Sequence, residues 1–557
     1  MAERYLDVRA RERTTTTRER GRTSSINFVP DFTGSDFFGV VFEDEEKAER
    51  RYTVLSSAMR SRAATMRSRL NTITSIVDGK EVEVVEELKT NWRSIYIATF
   101  VSMFNGIQFS VFFASLWPFL HTIDDNATST FFGIVTASYC LMQTIFGPFY
   151  GIWMNKFGTT KYPLGTGIAI MGISNALYAC VEMFPEHQRG YVMLVARSGV
   201  GMGSGCLGVT RAYAAMGSTL QDRTKAVTYM AASFVIGLTI GPGFQIAFTP
   251  IKDGFHIGSF HISEYTSPAI FAVIIDTISL FVLFTIFKED YVGIVVTENN
   301  DDPYYVLPSF KKLPATICIL TQFTQMFVVT NGEAIGSMYG MAMFDWTDEE
   351  ATKYFAIIQA VSGISSLTVY FLFMFKYGER VGRGYERIAV ISSLTMLLLY
   401  HIITYPFPFL PGKVDQRIVN NETVGCLSDY GWCNYTHQVN VWVYVLANVF
   451  IMSASFPMMT IFCSTIYSKI LGNRPQGIMQ SIQFMAGSFA RTVGPFLMTT
   501  LFDKYGPEII WGVEIIVLAM TLALWIIFYR QIVPLETHPV LKPGEYYKYN
   551  KGYKYRF

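Results

Sequence analysis

Residues 195–208 read VARSGVGMGSGCLG. Gly203, Gly205 and Gly208 spell G-x-G-x-x-G, and Arg197 stands just upstream. The same letters serve two different ends. A dinucleotide-binding turn needs a strand before it, a helix opening at the last glycine and an acid about 20 residues on. A membrane helix uses small residues to let a neighbour approach closely. The flanks decide between them. Tyr191 to Ala215 form one apolar run, no strand precedes it, and the nearest downstream acid, Asp222, falls in a loop. The stretch therefore reads as the packing face of a membrane helix that carries an arginine.

Composition agrees. Half of the 557 residues are hydrophobic and only 16% are charged, where a soluble domain has about 25% charge. Apolar runs of some 20 residues cross the hydrocarbon core at 1.5 Å per residue. Twelve such segments stand at 94–119, 130–154, 163–183, 191–215, 225–249, 266–287, 313–341, 351–375, 387–409, 439–465, 478–502 and 508–529. They are numbered 1 to 12 below. The net charge of +1 gives no case for nucleic-acid binding. The expected plan is all-α and polytopic. It has a disordered tail at 1–91, a first six-helix half at 92–288, a linker at 289–312, a second half at 313–530 and a tail at 531–557.

Two independent signals orient the chain. With both termini in the cytosol, the even-to-odd connections hold most of the loop cations, among them Lys156, Lys161, Arg223, Lys225, Lys311, Lys312, Arg380 and Arg383. That is the positive-inside bias. The sequons at Asn126, Asn421 and Asn434 all fall on the opposite side, which makes them the expected glycosylation sites. Cys426 and Cys433 lie in the same loop as two of the sequons, where an oxidising lumen permits a disulfide. The other five cysteines lie in apolar runs and read as small buried hydrophobes. No residue pattern points to a metal or a cofactor.

The halves repeat. Segment 5 carries Gly237, Gly241 and Pro242, and segment 11 carries Gly494 and Pro495. After segment 2 come Gly151, Asn155 and Gly158; after segment 8 come Glu379, Arg380 and Gly382. These stretches, with Arg197 and Gly201 in segment 4, resemble the conformational motifs of the major facilitator superfamily. Asn155 stands where that family usually has an aspartate. Asn91-Trp-Arg-Ser-Ile95, Leu220-Gln-Asp-Arg-Thr224 and Tyr467-Ser-Lys-Ile-Leu-Gly472 resemble a lysosomal branch of it, associated with neuronal ceroid lipofuscinosis. The resemblance implies a glycosylated multi-pass protein of the endolysosomal membrane that carries a small solute or conducts chloride. The branch's acidic dileucine signal is missing. Tyr52 to Leu55 fit a tyrosine-based signal for a sorting adaptor instead.

Charge at bilayer depth costs about 3 kcal/mol on insertion scales, so it faces a cavity or a partner. The intramembrane set is Arg197, Arg211, Asp276, Glu333 and Arg491. On one straight helix Arg197 and Arg211 would share a face, roughly 21 Å apart. Arg197, Glu333, Arg491 and Asp276 are the candidate pathway residues, with Gln245 as a polar contact; Gln108, Gln143 and Gln359 are either solute contacts or interhelical glue. Arg491, beside Gly494-Pro495, either caps freed carbonyls or meets solute. His401 reads as packed, and Glu182 and Glu514 as helix-end charges able to snorkel.

Three functions fit this reading. The first is alternating-access carriage of a small polar or anionic solute, proton-linked. The second is a chloride pathway on the same scaffold. The third is a non-transporting membrane adaptor using the N-terminal tail. An enzyme does not fit: no Ser/His/Asp constellation and no metal cluster is present in the sequence.

Overall fold

The computed structural model describes residues 89–535, apart from 113–114, 125–128, 220, 252–253, 258–259, 296–308, 375–380, 382–383, 415, 420–421 and 427–430, together with the backbone of two hairpins, Ile73–Val77 with Lys80–Val84 and Tyr546–Tyr549 with Gly552–Tyr555. The sorting stretch Tyr52 to Leu55, Asn126, Glu379, Arg380, Gly382 and Asn421 lie outside these residues.

Helix occupies every expected segment. Segment 1 is Trp92–Ser110 followed by Leu116–Ile123, segment 2 is Ser129–Phe157, and segment 3 is Lys161–Ala179. Segment 4 is Glu186–Ser204 plus Leu207–Met216; segments 5 and 6 are Arg223–Phe248 and Ser267–Thr285. Segments 7, 8 and 9 are Lys312–Phe344, Asp348–Met374 and Glu386–Ile403. Segment 10 joins Val441–Leu446 to Ser453–Leu471 through a π turn at Ala447–Met452. Segments 11 and 12 are Gly477–Tyr505 and Pro507–Ile527. Among the described residues, nine stretches are long and apolar enough to cross a membrane. Segments 1, 3 and 11 are helical without reaching that hydropathy. They contain Asn105, Gln108, Asn175, Gln480, Gln483 and Arg491, and of these Gln108, Asn175, Gln483 and Arg491 bond to other segments.

The halves are built alike. In the first, segment 1 packs on 5, 2 on 4, 3 on 4 and 3 on 6. In the second, 7 packs on 11, 8 on 10, 9 on 10 and 9 on 12. Adding six to each number of the first set gives the second. Between the halves, 2 meets 11, 4 meets 11, 5 meets 8 and 5 meets 10, and the same shift exchanges these pairs.

Close approach explains the glycines. A Cβ on Gly237 would lie 2.2 Å from the Met103 carbonyl oxygen, and one on Gly106 would lie 2.3 Å from that of Phe234, so segments 1 and 5 touch backbone to backbone. Gly494 faces the Asn331 amide and Gly241 the Ser110 hydroxyl in the same manner. The opening stretch behaves as a three-sided wedge. Gly201 abuts Tyr139 of segment 2, Gly203 abuts Met171 of segment 3 and Gly208 abuts Ser481 of segment 11. It is not one uniform α-helix, however. At Gly205 and Cys206 the hydrogen bonding tightens to i to i−3 while the backbone keeps right-handed helical angles.

At the end of the bundle that carries the 2–3 loop, the halves are shut. The buried Asn155 accepts the Gly477 N–H at 2.9 Å and so caps segment 11 with a neutral amide. Met216 of segment 4 accepts the Gln476 N–H through sulfur at 3.2 Å. Gly151 lets this contact form, because a Cβ there would lie 2.5 Å from the Ser481 hydroxyl and 2.6 Å from the Gly477 carbonyl oxygen. Gly151→Val is expected to destabilise the protein by about 1–3 kcal/mol through overpacking. Gly133→Val, where an added Cβ meets nothing within 4 Å, is the control. Melting temperatures in detergent check this: only Gly151→Val should fall.

Candidate functional site

Segment 4 carries Arg197 into the middle of the first half. Its guanidinium lies 4.9 Å from the Phe112 ring centre and 5.3 Å from that of Tyr139. Only 3% of the residue is exposed. Among the described residues, its buried Nε and Nη1 have no hydrogen-bond partner. A buried guanidinium normally finds acceptors, because unpaired donors carry the full desolvation cost. Two aromatic faces offset part of that cost. They leave the hydrogen-bonding edge unused.

The aromatic stack continues across the seam. Tyr139 and Phe109 are 5.1 Å apart, and the Arg491 guanidinium of segment 11 stands 5.3 Å from Phe109. Two cations, one from each half, therefore bracket a two-ring ladder. Arg491 is half-buried and Glu333 of segment 7 is exposed. Glu333 feels the Arg491 charge, and Cys140 feels Arg197, Arg491 and Glu333 together. Three of the four candidate pathway charges thus share one neighbourhood.

Gln143 of segment 2 is the node that holds it. Its amide nitrogen donates to Ser204 of segment 4 at 2.9 Å. Its oxygen accepts from Ser488 at 2.8 Å and from Arg491 at 2.6 Å, both on segment 11. One side chain therefore ties segments 2, 4 and 11 and joins the halves. Sequence left Gln143 open between solute contact and glue; here it is glue. Segment 11 runs unbroken through Gly494-Pro495. Arg491 binds Gln143 and Ser488 rather than freed carbonyls.

Asp276 lies elsewhere. It is buried inside the first half, where Gln108 donates to it at 2.6 Å and Asn175 at 3.2 Å. Arg211 stacks on Phe484 at 4.9 Å and borders a small cavity with Thr460, Ser464 and Gln480. The side chain of Gln245 is outside the described residues, and Gln359 is exposed. Glu182 does not snorkel alone but contacts His261, which stacks on His256 at 4.1 Å. Glu514 does not snorkel either: it is 4% exposed and bound to His401 and Asn331. Cys426 and Cys433 are placed as a disulfide pair with Cα atoms 5.9 Å apart, and Asn434 beside them is exposed. The π turn at Asn448, which accepts from Ser362 at 2.8 Å, had no signal in the sequence.

The family model described as Major Facilitator Superfamily matches residues 97–414, more than half of the chain. The chain belongs to that superfamily. It is a multi-pass membrane transport protein and not an enzyme. Major facilitator superfamily domain-containing protein 8 of Xenopus laevis is 28% identical over 492 residues, covering 82% of this chain and 95% of that protein. Multidrug resistance protein 2 of Bacillus subtilis (strain 168) is 25% identical over half of this chain and 65% of its own length. The fold matches solved structures of the human organic anion transporter MFSD10 (TETRAN), at a TM-score of 0.55 and 13% identity over 78% of this chain and 99% of that one, and of the proton:xylose symporter XylE, at 0.58 and 15% over 80% and 96%.

Gln143→Leu removes one donor and one shared acceptor and leaves Ser204, Ser488 and Arg491 short of partners. It is expected to cost about 2–3 kcal/mol, read as a lower melting temperature. Gln359→Leu, at an exposed position, should leave the melting temperature within a degree or two of the wild type.

Proposed function

We propose that the protein is an alternating-access carrier of a small anionic or zwitterionic solute in the endolysosomal membrane, proton-linked, with both termini in the cytosol. One observation carries the solute class: the Arg197 guanidinium is buried with two nitrogens unpaired. A carboxylate or phosphate accepts charge-assisted hydrogen bonds from a guanidinium more strongly than an isolated hydroxyl does. Arg491 adds a second positive group across the ladder, and Glu333 offers an acid to a proton or to the cationic end of a zwitterion.

The seam supports a carrier over the chloride pathway. From Gly477 to Arg491 segment 11 lies against segment 2 over roughly 21 Å, joined at Asn155 and at Gln143. A shut end that opposes an exposed Glu333 is what one face of an alternating cycle requires. An open channel would need a continuous path along that seam. The similarity to Major facilitator superfamily domain-containing protein 8, with an exposed Asn434 sequon beside the Cys426–Cys433 pair, supports a glycosylated loop in an oxidising lumen. The domain limits at 91, 288, 312 and 530 follow the same scheme.

Comparing metabolites of lysosomes with and without the protein supplies the solute, and uptake into proteoliposomes then tests the residue. Loss of a charge-assisted hydrogen bond, about 1.5–3 kcal/mol, corresponds to a 10- to 100-fold fall in solute affinity for Arg197→Gln. Arg197→Lys should not restore it, since an ammonium cannot present a bidentate edge. Uptake unchanged in Arg197→Gln contradicts the proposal. A large macroscopic chloride current in patched endolysosomes, abolished by Arg197→Gln and Arg491→Gln, would favour the chloride pathway instead.

A further inference from the structure

The sixfold shift that relates the helix contacts also relates two buried carboxylates far from the Arg197–Arg491 ladder. In the first half, Asp276 of segment 6 accepts from Gln108 of segment 1 and Asn175 of segment 3, and Asn175 also donates to the Gln108 oxygen at 2.9 Å. In the second half, Glu514 of segment 12 accepts from Asn331 of segment 7 at 3.0 Å and contacts His401 of segment 9 at 2.8 Å. Segments 1, 3 and 6 become 7, 9 and 12. Each position stands at a similar depth in its helix. The copies differ at one position in kind: an amide in segment 3 is replaced by an imidazole in segment 9.

That replacement changes what the cluster can bind. An amide donates hydrogen bonds but takes up no proton. The imidazole does. His401 Nδ1 lies 2.7 Å from the Leu397 carbonyl oxygen, which only accepts, so Nδ1 carries a hydrogen. Nε2 then faces Glu514 Oε2 at 2.8 Å. Without a further proton, a nitrogen lone pair would meet a carboxylate lone pair across that gap. With two, an N–H would meet an O–H. The contact closes with one shared proton, written either as imidazolium with carboxylate or as imidazole with carboxylic acid. Among the described residues, the other groups facing the pair are Asn331 and Tyr339 from segment 7, Tyr400 from segment 9, Tyr444 from segment 10 and Trp511 from segment 12. None of them brings a cation or a second carboxylate.

We propose that His401 and Glu514 form a one-proton binding site in the second half, and that giving up its proton parts segment 9 from segment 12. The pair lies in the last turn of segment 9 and two turns into segment 12, at the end of the bundle opposite the Asn155 seam. The Trp511 indole closes over it by donating to Thr404 at 2.9 Å. The site stands on this geometry. Its link to solute movement rests on the carrier reading.

Thermal unfolding of the full chain in detergent between pH 5 and 8.5 tests it without any solute. The probe is the proton alone. His401→Asn rebuilds the amide–carboxylate arrangement of the first half, and Glu514→Gln supplies an amide that needs no shared proton. In the unfolded chain the imidazole releases its proton near pH 6.5 and the carboxyl near 4.3, whereas the proposed contact closes only with one proton held between the two groups. The pair's stabilisation is therefore fully present between about pH 5 and 6.5 and is lost as pH rises further. The melting-temperature difference between the wild type and His401→Asn is expected to hold steady over the lower range and to shrink progressively above it. Glu514→Gln should show the same trend and carries the test if His401→Asn does not fold. A wild-type-to-His401→Asn difference that stays constant to pH 8.5, or that grows, overturns the proposal. Such a result leaves the Arg197 site untouched, and failure of solute uptake leaves this pH signature untouched.

Discussion

A charge inside a hydrocarbon-thick bundle must find a partner or face water, and the interior of this protein is arranged around that requirement. Arg491 is held by Gln143 and Ser488, and Asp276 by two amides. Glu514 is held by an imidazole and an amide. Arg197 and Arg211 lie against ring faces, and among the described residues two nitrogens of Arg197, one of Arg211 and the Nε of Arg491 have no hydrogen-bond partner. In a low-dielectric interior the cost of unmade charged hydrogen bonds is kept only where the surroundings fix it in place. Segment 4 does so here. Its glycines press the helix against segments 2, 3 and 11 so closely that Arg197 has little room to turn aside.

The repeat gives the interior a common plan with two outcomes. Each half packs its helices by the same pairing, and each buries one carboxylate where the first, third and sixth helices meet. The central ladder is assembled across the halves instead, from Arg197 and Tyr139 on one side and Arg491 on the other, with Gln143 as the joint. Rocking one half against the other must break the Gln143 contacts to segment 11 or carry them along. In the proposed carrier, solute contact and conformational contact would therefore meet at Arg491.

Much of this was legible in the sequence. Apolar run length placed helix in all twelve expected segments, nine of them apolar enough to cross a membrane among the described residues, and the cost of membrane charge singled out Arg197, Arg211, Asp276, Glu333 and Arg491, of which Arg197 and Arg491 stand at the two ends of one ladder. What was hidden depends on distance along the chain. Glu514 and His401 are 113 residues apart, and each alone reads as an ordinary helix-end acid and a packed histidine. Gln143 reaches Arg491 across 348 residues, so no local pattern announces it. The tightened hydrogen bonding at Gly205 and Cys206 leaves no mark on hydropathy, because the apolar run continues through it. Periodicity alone cannot tell whether Asp276 faces the centre or segments 1 and 3, whose Gln108 and Asn175 bond to it.

The central claim is that the Arg197 edge is left open for an anionic group of the solute. A structure determined with the metabolite that accumulates in its absence addresses this most directly. Density for a carboxylate or phosphate within hydrogen-bond distance of the Arg197 guanidinium, beside Tyr139 and Arg491, is the expected result. Solute density elsewhere, with Arg197 bonded to a carbonyl of a neighbouring helix, would contradict it.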